Sequence, residues 1–231
     1  MRSSLAATAE ADVADPTPTA VVFDLGGVLI DWDPRYLYRS LFDGDDAAME
    51  AFLSEVTTAE WNGHQDAGRP WSEAIEALAA KYPERRELIA AFWERWPEML
   101  GGALDETVAI LAELRAAGVR VYALSNWSAE TFPRARPRFP FLEWFDGIVI
   151  SGEVRLVKPD PAIFRHLLET HGLDAERTVF VDDHEANVQA AAELGMIAIH
   201  FEGAGALRRE LRSLGLPVSE PEERRRTASA R

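Results

Sequence analysis

The chain has 231 residues, 39 acidic against 24 basic side chains, a formal net charge of −15 and no cysteine. That length suits one domain carrying an insert, or two small domains, and can bury a sizeable core. The acidity argues against nucleic acid and anionic membrane as partners. The lack of cysteine excludes disulfides and thiolate metal sites and is compatible with a reducing cytoplasm.

The hydrophobic fraction of 47% and charged fraction of 27% are ordinary for a globular protein. No apolar run reaches spanning length. Residues 1–18 are rich in Ala, Ser, Thr, Asp and Pro, and Glu10, Asp12 and Asp15 interrupt any signal-peptide core. They read as a disordered tail.

The first ordered stretch is Val21-Val22-Phe23-Asp24-Leu25-Gly26-Gly27-Val28-Leu29. Three apolar strand formers end in an aspartate, and two glycines follow. This pattern predicts a buried strand leading into a tight loop. In an open α/β sheet the chemistry sits at the carboxyl ends of the strands, so Asp24 stands where a reacting group belongs. Gly26 and Gly27 have no Cβ and let backbone approach a ligand closely.

Pro34 suits the first turn of a helix, with Asp33 as its cap. From there to residue 100 the apolar spacing is helical, as in Tyr36, Leu37 and Leu41, or Leu88, Ile89 and Phe92. Breaks are expected at Asp43-Gly44-Asp45, Asn62-Gly63, Gly68-Arg69-Pro70 and Pro83. Residues 34–100 therefore read as an inserted helical domain. Within it, 61–69 is expected to be a loop between two helices, with His64 facing substrate and the whole acting as a lid. The competing reading is a surface turn with Trp61 packed inside. Trp93 and Trp96 read as packing residues.

The α/β pattern resumes after residue 101. A helix carrying Val108, Leu111 and Leu114 is closed by Gly118. A strand over 119–124 ends in Ser125-Asn126, with Trp127 as a wall of the pocket. A strand is expected over 145–151, a helix over Pro161–His171 closed by Gly172, and a strand over 178–181 ending in Asp182-Asp183. A helix over 187–194 and a last strand over 196–201 follow. Alternating strands and helices predict an α/β fold: a Rossmann-like parallel sheet core (19–33 and 101–216) with helices on both faces, plus the all-helical insert. Residues 217–231 mix Pro, Glu and Arg without periodicity and read as a second disordered tail.

Asp24, Ser125-Asn126 and Asp182-Asp183 end three strands that converge on one sheet edge, with Lys158 on the proline-stiffened loop Lys158-Pro159-Asp160-Pro161. Carboxylates from two strands suit a hard cation such as Mg²⁺. The lysine and the Ser/Asn pair supply donors to an anion. Together they fit phosphoryl transfer through an aspartyl intermediate. Taken singly, Ser125-Asn126 is also turn chemistry, Lys158 also a solvated lysine, and Asp182-Asp183 also a helix cap.

The segments Phe23–Val28, Leu124-Ser125-Asn126, Lys158–Phe164 and Val181-Asp182-Asp183 resemble the four motifs of the haloacid dehalogenase superfamily, in this order and across the whole chain between its tails. The insert sits where that superfamily carries its small α-helical cap. The resemblance implies that Asp24 is the nucleophile, that Ser125 hydrogen-bonds the phosphoryl group beside Asn126, and that Lys158 steadies both. It implies metal ligation by Asp24, the Gly26 carbonyl and Asp183, with Asp182 a ligand or water-mediated partner, and it places Asn187 where a group orients that loop. It implies an Mg²⁺-dependent hydrolase of a small phosphorylated metabolite; a monomer or a homodimer is expected.

One position departs from the pattern. Phosphatases of the superfamily usually carry an acid/base aspartate two residues after the nucleophile, where this chain has Gly26. General acid/base help is worth about 10²–10⁴-fold, so a slow or leaving-group-selective enzyme is expected. Gly26→Asp should then raise the rate on alkyl phosphates unless Asp33, His64, His184 or another residue holds the role. Two alternatives stay open at this level. In a 2-haloacid dehalogenase, Asp24 would attack carbon without a cation. In a binding protein on this scaffold, catalysis would be weak.

Overall fold

The structure is a computed structural model and describes residues 17–220. The two tails expected from composition lie outside the described residues, except 17–18 and 217–220. The last four are held in place. Val218 is buried, and the Ser219 amide donates to Glu113 at 2.7 Å.

Five parallel strands form the core: β1 (Ala20–Phe23), β4 (Arg120–Ser125), β5 (Gly147–Ile150), β6 (Thr178–Asp182) and β7 (Ile197–His200), in the order β5-β4-β1-β6-β7. β1 is the central strand. The chain builds outward from it on one side through β4 and β5, then crosses to the other side for β6 and β7. This reversal makes β1 the switch point, where a doubly wound sheet opens a crevice at its carboxyl edge.

All four residues of β1 are fully buried because both faces of the sheet are covered. Val21 and Phe23 face one apolar cluster, which takes in Leu111 and Leu114 of α6 (Asp105–Ala116) and Leu207 and Leu211 of α11 (Ala204–Ser213). Ala20 and Val22 face the other, with Phe164 of α9 (Pro161–His171) and Ala190 and Ala191 of α10 (Glu185–Glu193). The alternation is the period-two pleat of a strand. Each fully buried large apolar side chain contributes about 1.5–3 kcal/mol. The expected α/β core with helices on both faces is the observed fold.

The helical insert comprises α1 (Arg35–Leu41), α2 (Asp46–Glu55), α3 (Ala59–Asp66), α4 (Trp71–Lys81) and α5 (Arg86–Glu94). It is joined to the core by a short antiparallel pair, β2 (Ile30–Trp32) with β3 (Leu100–Ala103), which apolar spacing alone does not disclose. The cap position of α1 is Pro34 rather than the expected Asp33, which lies one residue earlier and accepts the Arg35 amide through its Oδ1 at 2.8 Å. An aromatic nucleus of Trp61, Trp71 and Phe92, with ring centroids 5.4–5.5 Å apart, holds α3, α4 and α5 together.

The loop expected over 61–69 is helix as far as Asp66. Thr58 caps it by accepting the Trp61 amide, and Gly63 is tolerated inside because burial of Trp61 and Gln65 anchors the turn on both sides of it. Packing here outweighs the roughly 1 kcal/mol penalty of an interior glycine. The connections after β4 and β5 clamp the insert down. Trp71 Nε1 donates to Ser128 Oγ at 3.0 Å, Ser151 Oγ to the Asp66 carbonyl at 2.6 Å, and Arg134 to the Trp93 carbonyl at 2.6 Å.

Candidate active site

Phe23 pairs in register with Ala123 of β4 and Val181 of β6, so the residues just beyond these pairs meet at one edge. Asp24 is still sheet-bound, its amide donating to the Val181 carbonyl at 2.8 Å. Its buried carboxylate accepts the Leu25 amide at 2.7 Å, lies 3.0 Å from Lys158 Nζ and takes a hydrogen bond from Ser125. Burial raises the Asp24 carboxyl to about 6; Lys158 and Ser125 oppose that rise without cancelling it.

Lys158 is itself buried, with Nζ 2.6 Å from Asp182 Oδ2. Burial alone would lower its ammonium, but Asp24 and Asp182 outweigh it and hold the group above its ordinary value. The loop carrying it is fixed by Asn126, whose Nδ2 donates to the Lys158 carbonyl at 2.9 Å while its Oδ1 accepts the Lys158 amide at 2.8 Å. Asn126 thus orients the lysine as well as lining the cleft described below.

The two aspartates that end β6 have different surroundings. Asp182 is fully buried and its oxygens are engaged: Lys158 donates to Oδ2, the His184 amide to Oδ1, and Asn187 Nδ2 to both at 2.9 and 3.1 Å. Asp183 turns the other way, half-buried, with Oδ1 3.1 Å from His184 Nδ1. Its carboxylate rests against Gly27, where φ is +71° and an added Cβ would come within 2.8 Å of Asp183 Cγ and closer still to Oδ2. Only glycine fits both the left-handed backbone and that approach.

Asp182, Asp183 and His184 bring one ligand atom each to within 4.8 Å of one another. Asp183 is the carboxylate least committed to protein donors, and it stands beside the loop that follows Asp24. An all-oxygen set of Asp24, Asp183 and a loop carbonyl suits a hard cation, so these residues fit Mg²⁺.

A half-open cleft of about 480 Å³ lies over this edge, lined by Gly26, Ser125 and Asn126 from the core. Ile30, Trp32, Trp96 and Trp127 wall it, and Asn62 and Asp66 of α3 close it from the insert. The core residues predicted from the strand ends therefore come together around Asp24. Trp127 does wall the cleft, and Trp96, expected only to pack, lies beside it with ring centroids 5.5 Å apart and the rings tilted by 45°. His64 is exposed on α3 and is not among the lining residues. Asp33 is paired with Arg35.

Asn62 and Asp66 belong to the 61–69 stretch expected to face substrate, where His64 rather than Asp66 is the expected titratable contact. Read as a helix, their i,i+4 spacing places both on one face, which was the available signal. The Asp66 carboxyl accepts the Ser128 amide and Asn62 Nδ2, the latter at 3.1 Å, and burial lifts it to about 7.

A buried carboxylate at a switch point, braced by a buried lysine, is the centre of this site. The family model for haloacid dehalogenase-like hydrolases matches residues 18–195, and the chain belongs to that family. It is 29% identical over 195 residues to the sesquiterpene phosphatase of Aspergillus oryzae, covering 84% of this chain and 95% of that one. It is 32% identical over 163 residues to the phosphoserine phosphatase of Thermus thermophilus, covering 66% and 63%. Among solved structures it resembles a family enzyme from Bacteroides thetaiotaomicron in complex with magnesium and inorganic phosphate. That match has a TM-score of 0.59 and 25% identity over 79% of this chain and 93% of the other. No helix among the described residues is long and apolar enough to cross a membrane.

Proposed function

We propose that the chain is an Mg²⁺-dependent phosphatase that hydrolyses a small phosphate monoester through an aspartyl-phosphate on Asp24. The carrying observation is the buried run of contacts from Asp24 through Lys158 to Asp182, with Asp183 turned away against Gly27. A dehalogenase has no use for a cation site that would attract its own carboxylate nucleophile, so the acidic pair, with Asp183 left open beside Gly27, favours phosphorus over carbon as the atom attacked.

Asp24 attacks phosphorus, and the ester oxygen departs with the organic group. Water then cleaves the aspartyl-phosphate and regenerates Asp24. Ser125 and Lys158 offer an O–H and an N–H to the phosphoryl oxygens, and Asp182 with Asn187 holds Lys158 in place so that no reorganisation is needed during reaction. Asp24, Asp183 and the Gly26 carbonyl would hold the Mg²⁺, which supplies charge neutralisation at the phosphoryl group when bound.

The cleft walls at Ile30, Trp32, Trp96 and Trp127 are aromatic and aliphatic, and no Lys, Arg or His is among the described residues that line it. This favours an ester whose organic part is apolar or uncharged. The Aspergillus relative, by its name a sesquiterpene phosphatase, fits that reading.

The test is a phosphate-release screen over small phosphate esters with Mg²⁺ and with EDTA, run beside Asp24→Asn. The expected result is Mg²⁺-dependent release that Asp24→Asn abolishes. Chloride release from 2-chloropropionate without metal, and no phosphate release from any ester, would replace this reading with the dehalogenase one. Beryllofluoride binding that ignores both Mg²⁺ and Asp24 would point to a binding protein.

A further inference from the structure

Gly26 leaves the core without the carboxylic acid expected two residues after the nucleophile. Its Cβ position meets nothing within 4 Å, and it lines the cleft, so the gap is open space rather than a filled site. On the insert side of the same cleft stands a carboxyl group. We propose that Asp66, on helix α3, is the general acid and base of this active site, delivered by the insert to the position that Gly26 leaves empty. This deepens the phosphatase reading and rests on it.

Three observations carry the inference. First, Asp66 shares the cleft with Ser125, Asn126 and Gly26. It is tied to the loop that follows them, because its carboxyl accepts the Ser128 amide and its carbonyl accepts Ser151 Oγ, which in turn takes the Trp127 amide at 2.9 Å. Second, its orientation is set by Asn62 and Ser128, as a proton donor in a preorganised site requires. Third, among the described residues no cation neutralises it. Arg69 is spent on Gln65 and the Trp61 carbonyl, Arg155 lies along Gly68, Glu130 takes the Trp71 amide, and His64 is exposed. Burial without a cationic partner favours the neutral acid and brings the carboxyl to about 7, matched to work near neutral pH.

The proton balance closes. In the first half-reaction the Asp24–phosphorus bond forms, the phosphorus–ester oxygen bond breaks, and the Asp66 proton passes to the departing oxygen to give the alcohol. In the second, water attacks phosphorus, its proton goes to the Asp66 carboxylate, and the phosphorus–Asp24 bond breaks. Inorganic phosphate leaves with Asp66 protonated again.

A residue that only latched the insert to the core would slow every ester alike. A general acid is needed most where the leaving group is a poor one. The experiment compares propyl phosphate with p-nitrophenyl phosphate in the wild-type protein, Asp66→Asn and Asp66→Glu, all with Mg²⁺. Asp66→Asn is expected to lower kcat on propyl phosphate by at least about 10²-fold and on p-nitrophenyl phosphate by less than about 10-fold. Asp66→Glu is expected to recover part of the propyl phosphate rate. An equal loss on both esters, or no loss on either, overturns the proposal.

The wild-type protein gives a second measurement that does not depend on a folded variant. Across substituted phenyl phosphates kcat should depend weakly on leaving-group basicity. A steep dependence, as for an unassisted alkoxide, also overturns it. Wild-type protein that releases no phosphate from p-nitrophenyl phosphate refutes the phosphatase reading and takes this inference with it. Asp24-dependent release with an unaltered Asp66→Asn profile refutes the inference alone.

Discussion

Gly27→Ala is the sharpest perturbation available, because adjacent glycines make it its own control. Gly27 has a φ of +71°, and its missing Cβ points at the Asp183 carboxylate. Placing alanine there costs about 1–2 kcal/mol for the left-handed backbone alone. The added methyl also sits inside 3.0 Å of both Asp183 Cγ and Oδ2, closer than side chains pack. Since the Gly27 backbone is bound to Ile30, its amide donating at 2.9 Å, the carboxylate must be the partner that gives way. The retreat is on the order of 1 Å, and a misplacement of that size costs about 10²-fold in rate. At Gly26 an added Cβ meets nothing within 4 Å and the backbone is not left-handed, so Gly26→Ala should leave stability within about 0.5 kcal/mol of wild type. Urea unfolding reads the stabilities, and the concentration of Mg²⁺ giving half-maximal phosphate release reads the carboxylate. Gly27→Ala should lose about 1–2 kcal/mol and need far more Mg²⁺. A Gly27→Ala protein with wild-type stability and wild-type Mg²⁺ requirement would refute the reasoning that Asp183 is held against this glycine for a cation.

Three further outcomes are expected. With Asp66 supplying the proton, Gly26→Asp should change the wild-type rate on propyl phosphate little but restore much of what Asp66→Asn loses, which single- and double-variant kinetics would show; a large gain in the wild-type background would mean that the role was vacant. Asp66 also shapes the pH dependence of stability. Its folded carboxyl, at about 7 against 3.8, keeps a proton that the unfolded chain releases, so stability falls as pH rises from about 4 through about 7. Asp66→Asn escapes that loss and should gain on wild type by up to about 4 kcal/mol at pH 8 relative to pH 4, and equal gaps in urea midpoint at the two pH values would contradict it. Glu113 shows the opposite sign. Burial would raise its carboxyl, but Arg208 at 2.8 and 2.9 Å and the Ser219 amide outweigh burial and hold it at about 2. Its stabilisation, about 1 kcal/mol once solvent screening at this partly exposed site is allowed for, is present above pH 4.5 and is lost as pH falls toward 2, so the Glu113→Gln deficit should shrink over that window in acid titrations followed by circular dichroism.

The core of this protein was legible in its sequence because each part of the site is local to a strand end. Val21-Val22-Phe23 followed by Asp24, the 119–124 run followed by Ser125-Asn126, and Thr178–Val181 followed by Asp182-Asp183 each carry strand and reacting group together. A parallel sheet must bring such ends to one edge. The glycine pair was legible as a close-approach loop. The helices of the insert were legible as helical spacing, but its Asn62-Gly63 punctuation misled, because buried Trp61 and Gln65 hold α3 through the glycine. The β2–β3 pair escaped notice, since its two short segments lie on either side of the whole insert and nothing local announces their pairing.

By itself, then, the amino-acid sequence determined the α/β class, the order of the strand-end groups, the place of Asp24 at the end of the central strand, and the lack of an acid at Gly26. The tertiary structure alone decided how those groups divide the work. Asp182 and Asp183 are neighbours in the chain with the same chemistry, yet one is buried against Lys158 and Asn187 while the other lies open beside Gly27. It also decided that Asp66, remote from every motif, reaches the cleft over Gly26. The reason is physical: alternation and turn residues are written into short stretches, whereas burial, and with it the proton affinity of a carboxyl, depends on which distant helix comes to cover it.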